Sequence, residues 1–313
     1  MLSRVADSLY WMSRNLERAD NVARFVEVNL HLMLDLVLDN GRAQWMPLVQ
    51  ASGDNEAFTK RFGDASKDNV VYFLTFDLKN PNSIRSCIRN ARENARTVRE
   101  VIVSDLWETI NRLYHLVESF SQNPDLDSLI PLYTEIKNAS HLFIGIVENT
   151  MSHHEAWHFM RVGRMLERAD KTARMLDVKY FILLPNSERV DSPHDLVEWG
   201  AVLKSVSGFE MYRKQYHRIS YQNVSHFLIF EVAFPRPIKF CVDAANHSLN
   251  AITASLNIAV VAQDEMAILS KSLQSITIQD VLANGLHEFV DVFQFNLNVV
   301  DQAFYKSFNP TLG

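Results

Sequence analysis

One eleven-residue segment occurs twice in this chain, 150 positions apart. Arg14-Asn-Leu-Glu-Arg-Ala-Asp-Asn-Val-Ala-Arg24 returns as Arg164-Met-Leu-Glu-Arg-Ala-Asp-Lys-Thr-Ala-Arg174, with eight of the eleven positions identical. A second pair of segments, residues 68–88 and 222–242, matches at an offset of 154 and contains both cysteines of the chain. Two separate matches at nearly the same offset predict an internal duplication.

The spacing of apolar residues around the first copy predicts a helix. They step by four and three positions, which puts them on one face. This helix is expected to run from about Ser3 to Asp39 and to end at Asn40-Gly41. Polar residues repeat beside the apolar stripe in both copies. They are Arg14, Glu17, Arg18 and Arg24 in the first copy, and Arg164, Glu167, Arg168 and Arg174 in the second.

The composition favours long helices over a sheet. Nine Gly and nine Pro are few for 313 residues, so few positions break a helix. We therefore predict an all-α fold, an internally duplicated, pseudo-twofold bundle of long helices. No linker-like composition separates the repeats, so residues 1–151 and 152–313 are expected to pack together as one globular body.

Local signals place further helices. The apolar run over residues 68–76 could form a strand or a buried helix, and its neighbours favour a helix. Asn82 or Ser83 is expected to cap a helix that ends near Val103, and Ser104-Asp105 to cap the next. Pro193 follows Asp191-Ser192 as the first residue of a later helix. A final long helix is predicted over residues 277–305.

Charge and motif content exclude several classes of protein. The net charge of −6 argues against a dedicated nucleic-acid binder. Two cysteines provide neither a disulfide framework nor a Cys-x-x-Cys metal site. The charged N-terminus does not resemble a signal peptide, and residues 244–263 are too polar to span a membrane. A cytoplasmic protein without membrane association is the expectation.

The repeated Glu-Arg pairs allow three interpretations. If the two helices face each other, Glu17, Glu167 and the six arginines beside them would surround a cavity for an anionic small molecule or peptide. The two glutamates could instead be catalytic, as acid or base in amide or peptidyl transfer. The third interpretation is structural, since buried charges must be paired and the pairs would then lock the two halves together. The excess of arginine argues against a metal ion there, and no cofactor is predicted.

A stripe of five arginines distinguishes the first repeat. Its members are Arg85, Arg89, Arg92, Arg96 and Arg99, and their counterparts at an offset of 154 are Lys239, Asp243, Asn246, Asn250 and Thr253. One interpretation is a solvated face that Glu93 and Glu100 partly neutralise. The other is a groove for a polyanion or for nucleotide phosphates.

The segment His154-Glu155-Ala-Trp-His158 matches the His-Glu-x-x-His pattern of zinc peptidases. The match is short, and no third histidine follows within the next helical turns. Glu167 lies nine residues beyond His158, on a different face of the same helix, and is a poor third ligand. A zinc site is therefore not predicted.

Several motifs together resemble those of the alpha-E family, a bacterial all-helical family named for its Glu-Arg motif. They are the opening Met1-Leu-Ser-Arg-Val-Ala with Tyr10-Trp11, the Glu17-Arg18-Ala19 segment, the run from Cys87 to Arg99 with Trp107 and Asn111, and residues 166–174. The resemblance spans nearly the whole chain. His154 and His158 do not belong to the family's pattern.

The resemblance implies a functional context. Genes of the family resemble parts of a set with an ATP-grasp ligase and a transglutaminase-like protease, which implies synthesis or modification of peptide or amide bonds. These two proteins are then the expected partners. The marked positions include Glu17, Arg18, Glu167 and Arg168. Four more lie in the segment that carries the arginine stripe, and they are Arg92, Glu93, Asn94 and Arg96. An accessory or substrate-binding protein of such a system is the favoured hypothesis.

Overall fold

The computed structural model describes residues 3–35, 45–183 and 193–308, and these ranges are entirely helical apart from turns and loops. The prediction of an all-α fold is confirmed. The helices are α1 (Ser3–Asp35), α2 (Met46–Ser52), α3 (Asn55–Phe62), α4 (Lys67–Thr75), α5 (Ile84–Thr97), α6 (Ser104–Gln122), α7 (Ile130–Thr150), α8 (Glu155–Leu183), α9 (Pro193–Ser205), α10 (Phe209–Gln215), α11 (Tyr221–Phe230), α12 (Ile238–Leu256), α13 (Val261–Ser275), α14 (Ile278–Asn284) and α15 (Leu286–Phe308).

Helices α1 and α8, which carry the two copies of the repeated segment, pack against each other at the centre of the protein. Helix α5 packs on α1, and α12 packs on α8. The apolar stripes of both copies lie in the core, as the spacing predicts. Their fully buried members include Leu9, Met12, Ala19, Ala23 and Val26 on α1, and Val162, Leu166, Ala169, Ala173 and Leu176 on α8.

A glycine brings the backbones of α1 and α8 close together. A Cβ atom at Gly163 would lie 2.4 Å from the backbone oxygen of Tyr10 and 3.1 Å from its carbonyl carbon. No side chain larger than hydrogen fits at that distance without displacing a helix. Gly163 therefore sets the distance between the two helices that carry the Glu-Arg segments.

Several predicted helix limits differ from those in the structure. The pattern over residues 277–305 forms two helices, because Gly285 adopts a φ of 101° between α14 and α15. Ser83 caps α5 as predicted, but that helix ends at Thr97 rather than near Val103. Helix α6 begins at Ser104 without a side-chain cap. The predicted stop at Asn40-Gly41 and the cap at Asp191-Ser192 lie outside the described residues.

None of the helices within the described ranges combines the length and the apolar character that a bilayer-spanning segment requires.

Candidate functional site

The Glu-Arg segments meet across the interface between α1 and α8. The carboxylate of Glu17 accepts two hydrogen bonds from the guanidinium of Arg168, each of 2.7 Å, from Nε and Nη2. This is a bidentate pair, the geometry in which an arginine binds a carboxylate most strongly. Asn21 donates a third hydrogen bond to Glu17, of 3.0 Å.

The reciprocal pair joins Glu167 on α8 to Arg18 on α1. Arg18 donates from Nε at 2.6 Å and from Nη2 at 2.8 Å, again to both carboxylate oxygens. Arg14 adds a hydrogen bond of 3.0 Å from its Nε. Each helix therefore supplies the glutamate of one pair and the arginine of the other, so that four charges cross-link α1 and α8.

Both glutamates are ionised and enclosed. The side chain of Glu17 is 1% exposed, and that of Glu167 is 0% exposed. Burial opposes ionisation of Glu17, but Arg168, with help from Arg236 and Asn21, outweighs it and lowers the pKa to about 2. Burial also opposes ionisation of Glu167, and there Arg18, Lys171 and Arg14 hold the pKa well below its ordinary value.

This geometry differs from the solvent-reachable cavity that the sequence suggested. Each carboxylate is surrounded by its own cationic partners and has almost no surface that a ligand could contact. A general base also needs a pKa near the working pH and a lone pair directed at the substrate. A glutamate with a pKa of about 2 and both oxygens bound to a guanidinium meets neither condition. The structural interpretation of the Glu-Arg pairs fits these contacts best.

The other predicted arginines of the two segments lie near the pairs without forming one cavity. Arg24 pairs with Asp20 at 2.9 Å and also donates to Ser207 at 2.6 Å. Arg174 pairs in the same way with Asp170, at 2.9 Å. Arg174 is thus held on its own helix, whereas Arg24 also links α1 to the segment between α9 and α10.

Arg14 and Arg164 occupy equivalent sequence positions but have different partners. Arg14 contacts Tyr10 and Asp301 as well as Glu167. Arg164 pairs with Glu148 at 2.9 Å, and burial lowers its pKa from the ordinary value for arginine. Of the two glutamates, Arg14 therefore binds only Glu167, and Arg164 hydrogen-bonds to neither within the described residues.

The residues of the arginine stripe lie elsewhere, on α5 and directly after its end, and Arg85 and Arg92 contact α6. Arg92 donates to Asn111 at 2.7 Å, and its guanidinium lies 4.6 Å from the ring centre of Tyr114. Glu93 pairs with Arg92 at 3.1 Å and with Arg96 at 2.6 Å. Asn94, which lies between Glu93 and Arg96 in the sequence, is half-buried. These four predicted positions are thus separated from the Glu-Arg pairs.

Two arginines of the same stripe remain unpaired. Arg89 and Arg99 are exposed, and neither has a carboxylate in salt-bridge range within the described part of the chain. The guanidinium of Arg99 lies over the ring of Trp107, 5.2 Å from its centre. By contrast, Arg85 forms a bidentate pair with Glu118. The face is partly neutralised, and within the described residues Arg89 and Arg99 are the members of the stripe that form no salt bridge.

The His-Glu-x-x-His segment lies at the start of α8. His154 precedes the first residue of α8, and Glu155 accepts a hydrogen bond from Ser255 at 3.1 Å. Within the described ranges, a single group of three potential metal-binding side chains has its ligand atoms within 4.8 Å of one another. This group contains neither His154 nor His158. That group is Asp177, His287 and Asp291.

Both cysteines are buried thiols. Burial raises the pKa of Cys87 and of Cys241 to about 12, so both stay protonated at neutral pH and are poor nucleophiles.

Sequence reasoning did not identify some residues that complete the ion-pair network. Arg236 lies 3.7 Å from Glu17 and 3.1 Å from Asp20. Asn82 accepts a hydrogen bond of 2.6 Å from Arg18. These two residues occupy matching positions at the offset of 154, directly after Pro81 and Pro235, and this match could have revealed them. Nothing in the sequence marks Asp301, the partner of Arg14.

A family model matches residues 1–308 of the chain, and its description is a predicted alpha-helical domain with a conserved ER motif. An uncharacterized protein of Mycobacterium bovis is similar, with 22% identity over 304 residues. An uncharacterized protein of Mycobacterium tuberculosis has the same identity over the same length. In both cases the match covers 90% of this chain and 34% of the relative. No solved structure matches the chain significantly.

The chain thus spans about a third of the length of the curated relatives it matches.

Proposed function

This chain belongs to the Alpha-E family, and on that premise we propose that it is a non-catalytic accessory module of a system that makes or modifies peptide or amide bonds. Its proposed partners are an ATP-grasp ligase and a transglutaminase-like protease. The proposal places it in the bacterial cytoplasm, where the ligase has access to ATP.

The observation that carries this proposal is the enclosure of the two Glu-Arg pairs. Reactive carboxylates need access to a substrate, whereas Glu17 and Glu167 are buried and each binds a guanidinium through both oxygens. Their contacts favour a structural role, fixing α1 against α8. The greater length of the mycobacterial relatives supports a module that acts beside other protein segments.

The proposed partner surface is the exposed part of the arginine stripe. Arg89 and Arg99 offer exposed charges that form no salt bridge in the described structure, and Trp107 adds an aromatic side chain beside Arg99. Arginine and tryptophan are frequent at binding hot spots. The second repeat has Asp243 and Thr253 at the corresponding positions, so this surface belongs to the first repeat alone. An acidic surface of the ligase is its proposed complement.

We also propose that the two halves, residues 1–151 and 152–313, arose by duplication and pack with pseudo-twofold symmetry. The reciprocal pairs Glu17–Arg168 and Glu167–Arg18 support this arrangement. So do the cysteines, since Cys87 contacts the backbone oxygen of Pro81 at 3.7 Å and Cys241 that of Pro235 at 3.8 Å.

Copurification with the ATP-grasp ligase tests the partner proposal. The wild-type chain is expected to retain the ligase, and the double charge reversal Arg89→Glu with Arg99→Glu to lose it. Lys214→Glu with Lys271→Glu is the matched control, because it reverses two exposed charges elsewhere and should retain the ligase. Equal retention by all three proteins would contradict the proposed surface, and no retention by the wild type would contradict the partner.

A turnover assay tests the non-catalytic role. The isolated protein is expected to leave candidate amines and peptides unchanged, with or without ATP. Turnover that disappears in a folded Glu17→Gln or Glu167→Gln variant would establish the enzyme alternative instead.

A further inference from the structure

A group of titratable side chains lies between α8 and α15, apart from the Glu-Arg pairs. Asp177 lies on α8, and His287 and Asp291 lie one helical turn apart on α15. The Nδ1 atom of His287 is 2.6 Å from Oδ1 of Asp177. Its Nε2 atom is 3.5 Å from Oδ2 of Asp291. The potential ligand atoms of the three residues all lie within 4.8 Å of one another.

The three side chains line a cavity of about 270 Å³. Its other walls come from Gln294 on α15, from Arg174 on α8 and from the end of α2. Gly53 at that end has a φ of 84°, and a Cβ there would lie 2.8 Å from Nη1 of Arg174. The absence of a side chain at Gly53 thus leaves space for the guanidinium beside the cavity. The space is sufficient for several water molecules next to the three potential ligands.

The distances assign different roles to the two nitrogens of His287. An ionised carboxylate can only accept, so the 2.6 Å contact requires a proton on Nδ1. In the neutral ring, the lone pair of Nε2 then lies on the side of Asp291. The 3.5 Å separation is long for a hydrogen bond. Two ligand atoms bound at about 2.0–2.1 Å to one tetrahedral ion would be about 3.3 Å apart.

Local charge also favours a cation. Asp177, Asp291 and Glu288 surround His287 with negative charge. The nearest positive side chain of the cavity is Arg174, whose Nε is paired with Asp170. An imidazole and a carboxylate oriented by a second carboxylate are donors that suit Zn²⁺ and related divalent ions.

We propose that Nε2 of His287 and the carboxylate of Asp291 bind a divalent transition-metal ion of the Zn²⁺ type. Asp177 is the positioning residue, because its hydrogen bond fixes the tautomer and the orientation of the imidazole. Water from the cavity completes the coordination. The open positions face the cavity that Arg174 lines, so an anionic ligand of the metal would also meet a guanidinium.

Titration of the full-length, metal-stripped protein with Co²⁺ tests this site, with visible absorption as the readout, and Zn²⁺ titration by calorimetry gives the stoichiometry. One equivalent is expected to bind. His287→Gln and Asp291→Asn should each weaken binding at least tenfold, and Asp177→Asn about 10–100-fold. The side chain of Asp291 is 62% exposed, so its variant should fold normally even if the His287 variant does not.

The matched control removes two histidines that lie outside the proposed site. His154→Gln with His158→Gln should bind Co²⁺ as the wild type does. Three results would each overturn the proposal: no binding by the wild type at millimolar Co²⁺, unchanged binding by both His287→Gln and Asp291→Asn, or loss of binding in the control. None of these results bears on copurification with the ligase.

Discussion

At the scale of single residues, the Glu-Arg motif solves the problem of burying charge. Glu17 has Arg168 and Asn21 as hydrogen-bond partners, and Glu167 has Arg18 and Arg14. A buried carboxylate with both oxygens occupied costs much less than an unpaired one. Removal of one partner leaves the other charge buried and uncompensated, so each pair is much more sensitive to truncation than an exposed pair.

Glu17→Ala is therefore expected to lower the free energy of unfolding by about 3–5 kcal/mol. The loss arises because the guanidinium of Arg168 stays buried without its carboxylate. Glu93→Ala is the matched control. Glu93 also binds two arginines, but its side chain is 45% exposed, and the expected loss is about 0–1 kcal/mol. Urea denaturation measures both, and equal losses in the two variants would contradict the structural role of Glu17.

The low pKa of Glu17 makes stability depend on acid pH. Its pKa is about 2 in the folded protein, and the ordinary value for a glutamate, which applies to the unfolded chain, is 4.5. A depressed folded pKa contributes stability that is present above about pH 4.5 and is lost as the pH falls towards 2. Glu17→Gln should therefore reduce the pH dependence of the free energy of unfolding in this window. Urea denaturation at several pH values from 6 to 3 measures the slope, and an unchanged slope in a folded variant would contradict the assignment.

The sequence identified the motif residues because they repeat. Glu17, Arg18, Glu167 and Arg168 belong to the eleven-residue segment, and the structure brings these four together. The sequence did not establish whether they face solvent. Enclosure depends on residues from distant helices, such as Arg236, whose approach to Glu17 is set by packing and not by any local pattern.

At the scale of helices, the bidentate pairs require α1 and α8 to lie close together. The arginine and glutamate side chains must span the interface in two directions, which fixes both the distance and the register of the helices. Gly163 provides this distance, since its backbone lies against the carbonyl group of Tyr10.

Gly163→Ala is expected to destabilise the protein by about 1–3 kcal/mol or more, because the added methyl group overlaps with backbone rather than with a flexible side chain. Gly145→Ala on α7 is the matched control. A Cβ there meets nothing within 4 Å, and alanine should stabilise the helix by about 0.5–1 kcal/mol. Thermal unfolding monitored by circular dichroism compares the stabilities of the two variants. If Gly163→Ala left the thermal stability unchanged, the close approach of α8 to α1 at Gly163 would not be required.

Helix positions were more predictable than helix ends. The apolar run over residues 68–76 forms α4, as its helical neighbours suggested. The apolar periodicity over residues 277–305 continues across Asn284-Gly285 and so predicts one helix, although the same dipeptide at Asn40-Gly41 predicts a helix end. Periodicity reports which face is buried, whereas a helix end depends on one or two backbone angles.

At the scale of the whole molecule, α1 does not belong to one half alone. It packs against α5 and α7 from the first half, and against α8, α9 and α15 from the second. Helix α8 in turn contacts α2 as well as α12 and α15. The proposed halves therefore share their core, and the four motif charges lie within this shared interface.

Separate fragments of residues 1–151 and 152–313 are therefore expected to fold poorly. Each would expose the apolar face and the unpaired charges that α1 or α8 buries in the intact protein. Mixing equimolar fragments should restore the helical signal and give a 1:1 complex. Circular dichroism and light scattering measure these changes.

A second pair of fragments, carrying Glu17→Ala and Glu167→Ala, separates the contribution of the motif from that of the apolar contacts. These fragments keep the apolar surfaces of α1 and α8, but Arg168 and Arg18 lose their carboxylates when the interface closes. They should associate at least tenfold more weakly than the unmodified pair. Cooperative unfolding of either unmodified fragment alone would show that one half is a complete domain, and the Glu-Arg motif would then join two independent units.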